Sequence, residues 1–283
     1  VSSSPDERAF LRLPDPASRF EARARRLRAL AAGHAAGDWL LLLSRIADAQ
    51  HAAVGEVRAP TVRAPGDGPP LAFDRLPRDA TWRRMLAVVL SGTDAPALPA
   101  ETREAIRGLL AADAPRLEAL ADRRLAGATD PGELTTAPFV GAALQAWFGA
   151  LAGALAPTPS VPVAGGCPIC GAPPVAGVID GTTRLRYLVC SLCGSEWNLP
   201  RMTCSACGDD VGVTYFHVDG DEGAQAEACG ACRGYTKLFD LEKRAGAEPI
   251  ADDAATLALD LLMAEEGYHR IGESPFLAVA ERC

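Results

Sequence analysis

Four Cys-x-x-Cys pairs lie close together in the second part of the chain: Cys167/Cys170, Cys190/Cys193, Cys204/Cys207 and Cys229/Cys232, in the segments CPIC, CSLC, CSAC and CGAC. No cysteine precedes them, and the ninth, Cys283, has no partner of its kind. Two residues between cysteines let both sulfurs reach one ion from a single turn, and two such pairs complete a tetrahedral tetrathiolate site. Glycine follows three of the pairs, at Gly171, Gly194 and Gly208. It permits a positive φ that turns backbone N–H groups toward the sulfurs. The fourth pair has Arg233 there and Gly234 one later, so its turn is expected to differ and to set a positive charge beside the thiolates. Tight pairing in a chain of 283 residues whose start does not read as a secretory leader points to metal rather than disulfides.

The pairing of the pairs follows from an internal repeat. Cys170 leads through VAGVIDGTTRLRYLVC to Cys190, and Cys207 leads through GVTYFHVDGDEGAQAEAC to Cys229. Asp180-Gly181 and Asp219-Gly220 are turn signals between β-rich runs. The interval from that aspartate to the next cysteine is ten residues in both copies, and the second copy is two residues longer before its turn. The expected sites are therefore Cys167, Cys170, Cys190 and Cys193 (site 1) and Cys204, Cys207, Cys229 and Cys232 (site 2). Each surrounds a hairpin in the manner of a rubredoxin or zinc ribbon. Spacing alone favours structural zinc; iron is the redox-active alternative. Tyr187, Trp197, Tyr215 and Phe216 are read as ribbon packing, and His217 as a strand residue rather than a ligand.

The elements that must position these ribbons differ in period. Residues 1–156 read as a helical bundle. Asp15-Pro16 opens a first helix that ends near Gly33, and Asp38 is expected to cap a second through Trp39, Leu43 and Ile46. Further helices are expected around Trp82 to Leu90, at 100–112, at 114–126, and from Asp130-Pro131 through Leu151. Residues 58–77, rich in Pro and Gly, read as a long arm, and the first residues as a frayed terminus. His34 and His51 read as ordinary helix residues, and whether Gln50-His51 faces a groove stays open. Residues 157–166 form a linker in which three prolines and a glycine pair end the helical period. The first module is assigned to 167–203, the second to 204–250, and a C-terminal helix and tail to 251–283. In that tail Asp252-Asp253 is expected to cap a helix ending at Gly267, its carboxylates on a solvated face. The fold class is thus a multidomain α plus small β protein: a helical bundle, two tandem rubredoxin-like modules, and a C-terminal helix.

Charge narrows the function classes. Residues 167–283 carry 9 Lys/Arg against 18 Asp/Glu, whereas the preceding 166 residues are nearly balanced. An acidic metal-binding half argues against a nucleic-acid grip. No apolar run is long enough for a membrane span. No nucleotide loop, catalytic triad or open metal position is apparent, so no catalytic residue and no enzyme activity are expected.

Several stretches resemble the formate dehydrogenase accessory protein family, FdhE: CSLCGSEWNLPRMTCSAC, AEACGACRGYTKLF, ADDAATLALDLLMAEEGYHRIGESPF, and near the front RFEARARRLRALAAGH and LSRIADAQ. The family commonly has histidine after Glu196-Trp197, where this chain has Asn198. The resemblance implies a cytoplasmic, non-catalytic maturation factor. Its partner would be the catalytic subunit of a respiratory formate dehydrogenase, before export through the twin-arginine route. It also implies two bound metal ions, Fe or Zn, and raises iron to parity with zinc. Self-association stays open. A rubredoxin-type electron carrier and a zinc-ribbon nucleic-acid-binding protein are the competing readings.

Overall fold

Asp15 accepts a hydrogen bond from the Ala17 N–H and Pro16 takes the first helical position, so α1 (Pro16–Ala31) starts where the sequence places it. The computed structural model describes residues 9–58, 68–156 and 165–277. The linker at 157–164, much of the arm at 59–67, the first eight residues and Cys283 lie outside the described residues. After α1 come α2 (Gly37–Glu56), α3 (Ala80–Thr93), α4 (Ala100–Ala111), α5 (Ala114–Leu125) and α6 (Ala137–Gly153). α6 has no charged residue and is buried almost all round, so the other helices and the sheet can close on it. Two helix starts differ from expectation. Ala36, not Asp38, stands at the N-cap of α2, and Asp38 sits in its first turn. Asp130-Pro131 opens only a 3-10 turn (Pro131–Glu133) before α6.

The cysteine region is one sheet. The first copy folds as β2 (Pro174–Ile179), β3 (Arg186–Cys190) and β4 (Glu196–Asn198); the second as β5 (Val213–Phe216), β6 (Ala224–Cys229) and β7 (Gly234–Asp240). With β1 (Leu11–Arg12) at one edge, the order is β1-β4-β3-β2-β7-β6-β5, and β8 (His269–Arg270) also pairs with β7. The copies are joined by a parallel seam in which Ala176 faces Lys237 and Ile179 faces Asp240. Residues 9–12, part of the stretch expected to fray, are tied to the sheet. β1 (Leu11–Arg12) pairs with β4, and the Tyr187 hydroxyl donates to the Ala9 carbonyl at 3.0 Å.

The C-terminal region corrects the sequence reading. Glu248, not Asp252 or Asp253, caps α7 (Pro249–Ala255), accepting from the Ala251 N–H at 2.7 Å. Thr256 then separates α7 from α8 (Leu257–Glu265). Asp252 and Asp253 are wholly buried rather than solvated. Asp252 takes Arg26 and Arg244, and Asp253 takes Lys237 and Arg270. Buried carboxylates need such partners, and here the pairs pin α7 to α1 and to β7. Among the described residues no helix is long and apolar enough to cross a membrane.

Candidate metal centres

Each Cys-x-x-Cys sits on a tight knuckle whose backbone supplies the curvature. Gly171, Gly194 and Gly208 adopt φ of 80°, 79° and 79°, the left-handed conformation their positions require. The fourth knuckle makes the same turn without glycine: Arg233 itself has φ 59°. Its guanidinium does not turn to the sulfurs. It donates to the Gly267 carbonyl at 3.3 Å and to that of Glu266, and lies 3.8 Å over the Tyr268 ring. These contacts at the end of α8 hold a residue in a conformation that costs an L-amino acid about 1–2 kcal/mol.

The sulfurs gather within each copy. Cys167 and Cys193 are 3.6 Å apart and Cys170 and Cys190 3.4 Å; Cys204–Cys232 and Cys207–Cys229 are both 3.7 Å. A tetrahedral ion with metal–sulfur bonds of ~2.3 Å spaces its sulfurs ~3.8 Å apart, whereas a disulfide needs ~2.05 Å. Both groups of four have cage dimensions, all ligand atoms lying within 4.8 Å of one another. Both can therefore coordinate a metal ion. Backbone N–H groups point at the sulfurs, Ile169 to Cys167, Leu192 to Cys190 and Ala206 to Cys204, each at 3.4 Å. Such bonds stabilise the thiolate form.

Burial sets the electrostatics of the first group. Burial pushes the Cys167 and Cys170 thiols well above the ordinary thiol range. Burial acts on Cys190 in the same direction, but hydrogen bonds from Cys167, Cys170, Cys193 and the Leu192 N–H outweigh it and hold Cys190 low. Binding an ion would require Cys167 and Cys170 to give up their protons against that burial. In the second group burial, and then the neighbouring cysteines, push Cys232 up to about 12.

The two groups have different surroundings. Cys167, Cys170, Cys190 and Cys193 are all buried and belong to the main hydrophobic core. The arm residues Leu71 and Phe73 donate backbone N–H bonds to the carbonyls of Ile169 and Cys170, at 2.8 and 2.9 Å. On the other knuckle, Gln145 of α6 donates to the Ser191 carbonyl at 2.7 Å, and Arg19 of α1 donates to the Gly194 carbonyl. Gln145 also accepts from Arg23 at 2.6 Å and from Gln50 at 3.1 Å. Gln50 is therefore a buried link rather than a groove residue. In the second group Cys204 and Cys229 are buried, Cys232 is half-buried and Cys207 is exposed.

The remaining predicted residues fall to structural roles. Tyr187 and Trp197 are core, while Tyr215 and Phe216 are half-buried on β5. His217 is exposed just beyond β5 and not in the strand. His34 and His51 reach the carbonyls of Ala255 and Ala17. Sequence reasoning missed Arg23, Gln145 and Glu248, the buried polar set behind the first cage. An isolated Gln in an otherwise apolar helix was the available signal.

The family models described as FdhE, N-terminal, FdhE, central domain, and FdhE, C-terminal domain match residues 8–165, 166–201 and 202–277. Their divisions fall at the first and third knuckles. The FdhE homolog of Edwardsiella ictaluri is 36% identical over 96% of this chain and 92% of its own length. That of Pseudomonas aeruginosa is 39% identical over 92% of this chain and 90% of its own. The crystal structure of the FdhE protein from Pseudomonas aeruginosa superposes with a TM-score of 0.84 at 35% identity, covering 96% of this chain and 100% of that one. A helical domain, two cysteine cages on one sheet and full-length similarity together place this chain in the FdhE family.

Proposed function

We propose that this chain is a cytoplasmic maturation factor that binds the catalytic subunit of a formate dehydrogenase and supports its assembly, without catalysing a reaction itself. The observation that carries the reading is FdhE similarity running from residue 8 to residue 277 through both cages. Cys167, Cys170, Cys190 and Cys193 would hold one ion, and Cys204, Cys207, Cys229 and Cys232 a second. All four donors in each cage are protein sulfurs, a set that suits zinc and iron alike and keeps no ligand position for a substrate. When bound, either ion supplies a cross-link for its hairpin, and iron adds one-electron chemistry.

The chain's own residues present the ribbons to the partner. Gln145, Arg19, Leu71 and Phe73 fix the first cage to the helical domain, so the ribbon surface is oriented by the bundle. Replacing Cys190 and Cys193 with serine is expected to abolish metal binding at the first cage and capture of the catalytic subunit in anaerobic co-purification. Capture undiminished by a variant lacking that metal would sink the reading. A rubredoxin-type electron carrier is the second reading, favoured by the exposure of Cys207 at the second cage. Colour separates the two: ferric tetrathiolate is red, and a carrier must cycle rapidly during turnover.

A further inference from the structure

We propose that the two cages are not equivalent. The second is the exchange site, where an external thiol or chelating donor reaches the ion, and the first retains its ion as part of the folded core. This rests on the reading of both cages as metal sites.

Access is the first argument. Every cysteine of the first cage is at most 1% exposed. In the second, Cys204 and Cys229 are 3% and 2% exposed, but Cys207 lies open to solvent. Cys207 is flanked by Ala206 and Gly208, which are small and also exposed. Ligand substitution at a saturated tetrahedral ion begins with a donor approaching the metal–sulfur bond, and this is the most open corner of either cage.

The cost of opening is the second argument. Loosening either knuckle of the first cage breaks hydrogen bonds to the helical domain, through Leu71, Phe73, Gln145 and Arg19, and opens the main core. The Cys204–Cys207 knuckle is held instead by bonds within the cysteine region and its linker: Cys204 N–H to the Asp209 carbonyl at 2.7 Å, Gly208 N–H to that of Cys204 at 3.1 Å, Gly165 N–H to that of Ser205 at 3.2 Å, and the Ser205 hydroxyl with that of Thr236 at 3.1 Å. Among the described residues, the cysteines of the second cage belong neither to the main core nor to the satellite core of Ala226, Ala228, Tyr235, Leu259 and Met263. Local opening is governed by such differences in contact and burial. Within the second cage Cys232 is half-buried and tied through Arg233 to the end of α8, leaving Cys207 as the most open point of attack.

The step conserves atoms and charge. An incoming thiol sulfur binds the ion, the metal–Cys207 bond breaks, and the proton of the incoming thiol passes to the freed Cys207 sulfur. No electron changes hands.

The test uses the zinc-loaded full chain, with metal counted first. Fewer than two zinc ions per chain overturns the two-site reading itself. With two bound, excess 4-(2-pyridylazo)resorcinol is expected to remove one equivalent about tenfold or more faster than the other. Cys207→Ser is expected to abolish the fast equivalent and keep the slow one. Iodoacetamide labelling of the native protein, read by peptide mass spectrometry, is expected to reach Cys207 before any cysteine of the first cage. Release of both ions in one phase, or first labelling at Cys167, Cys170, Cys190 or Cys193, overturns the proposal while leaving the two-site reading intact.

Discussion

Gly166 shows how little room surrounds the first cage. A Cβ there would lie 2.5 Å from the Gly171 carbonyl oxygen, which is backbone and cannot swing away. Gly166→Ala is therefore expected to cost about 1–3 kcal/mol, seen as a lower thermal midpoint of the metal-loaded protein. The glycines after the first three pairs were legible because a knuckle demands positive φ. Arg233 in the same conformation was not, because the Glu266 and Gly267 carbonyls and the Tyr268 ring that hold it arrive from just beyond α8. Gln145 was equally hidden. Its spacing marks it as one more position on an apolar helix, and only the packed structure shows it joining Arg23 and Gln50 to the Ser191 carbonyl.

At the scale of elements, the seam between the two copies is secured by a buried ion pair. Arg186 of β3 meets Glu227 of β6, and its guanidinium also donates to the carbonyls of Leu199 and Thr203. Arg186→Met leaves Glu227 buried with only the Tyr215 hydroxyl, and is expected to cost about 3–5 kcal/mol in denaturant unfolding. The double variant Arg186→Met, Glu227→Leu should recover much of that loss, since it removes both charges. A second strand-end contact sets a pH dependence. The hydrogen-bonded Arg184 guanidinium, aided by the Glu242 N–H, holds Asp240 below the usual carboxylate range despite its burial. A carboxylate depressed in the folded state stabilises it above its unfolded pKa of about 4, and the gain is lost as pH falls through the folded value. The midpoint difference between the native chain and Asp240→Asn should thus be constant above about pH 5 and vanish on further acidification. The hairpins themselves were readable from Asp-Gly turns and alternating runs. The parallel seam was not, because strands from different copies carry no local signal of their register.

For the whole molecule, the consequence is that helical domain and first cage share one core. Strong chelation that empties both cages is expected to lower the stability of the α-helical signal along with that of the sheet. A helical bundle that keeps its unfolding midpoint after metal removal would contradict the shared core. The buried ion pairs of Asp252 and Asp253 extend the same principle to the C-terminal helices, which close over α1 and β7.

From the order of its residues alone, this chain determined a helical first half, two tetracysteine repeats, the grouping of their thiols and an FdhE resemblance. These are encoded locally, in period, spacing and turn chemistry. Tertiary structure decided the fusion of both copies into one sheet, the burial of Asp252 and Asp253, and the unequal exposure of the cages. Those properties depend on which surfaces meet across long stretches of chain, and no short window of sequence contains that information.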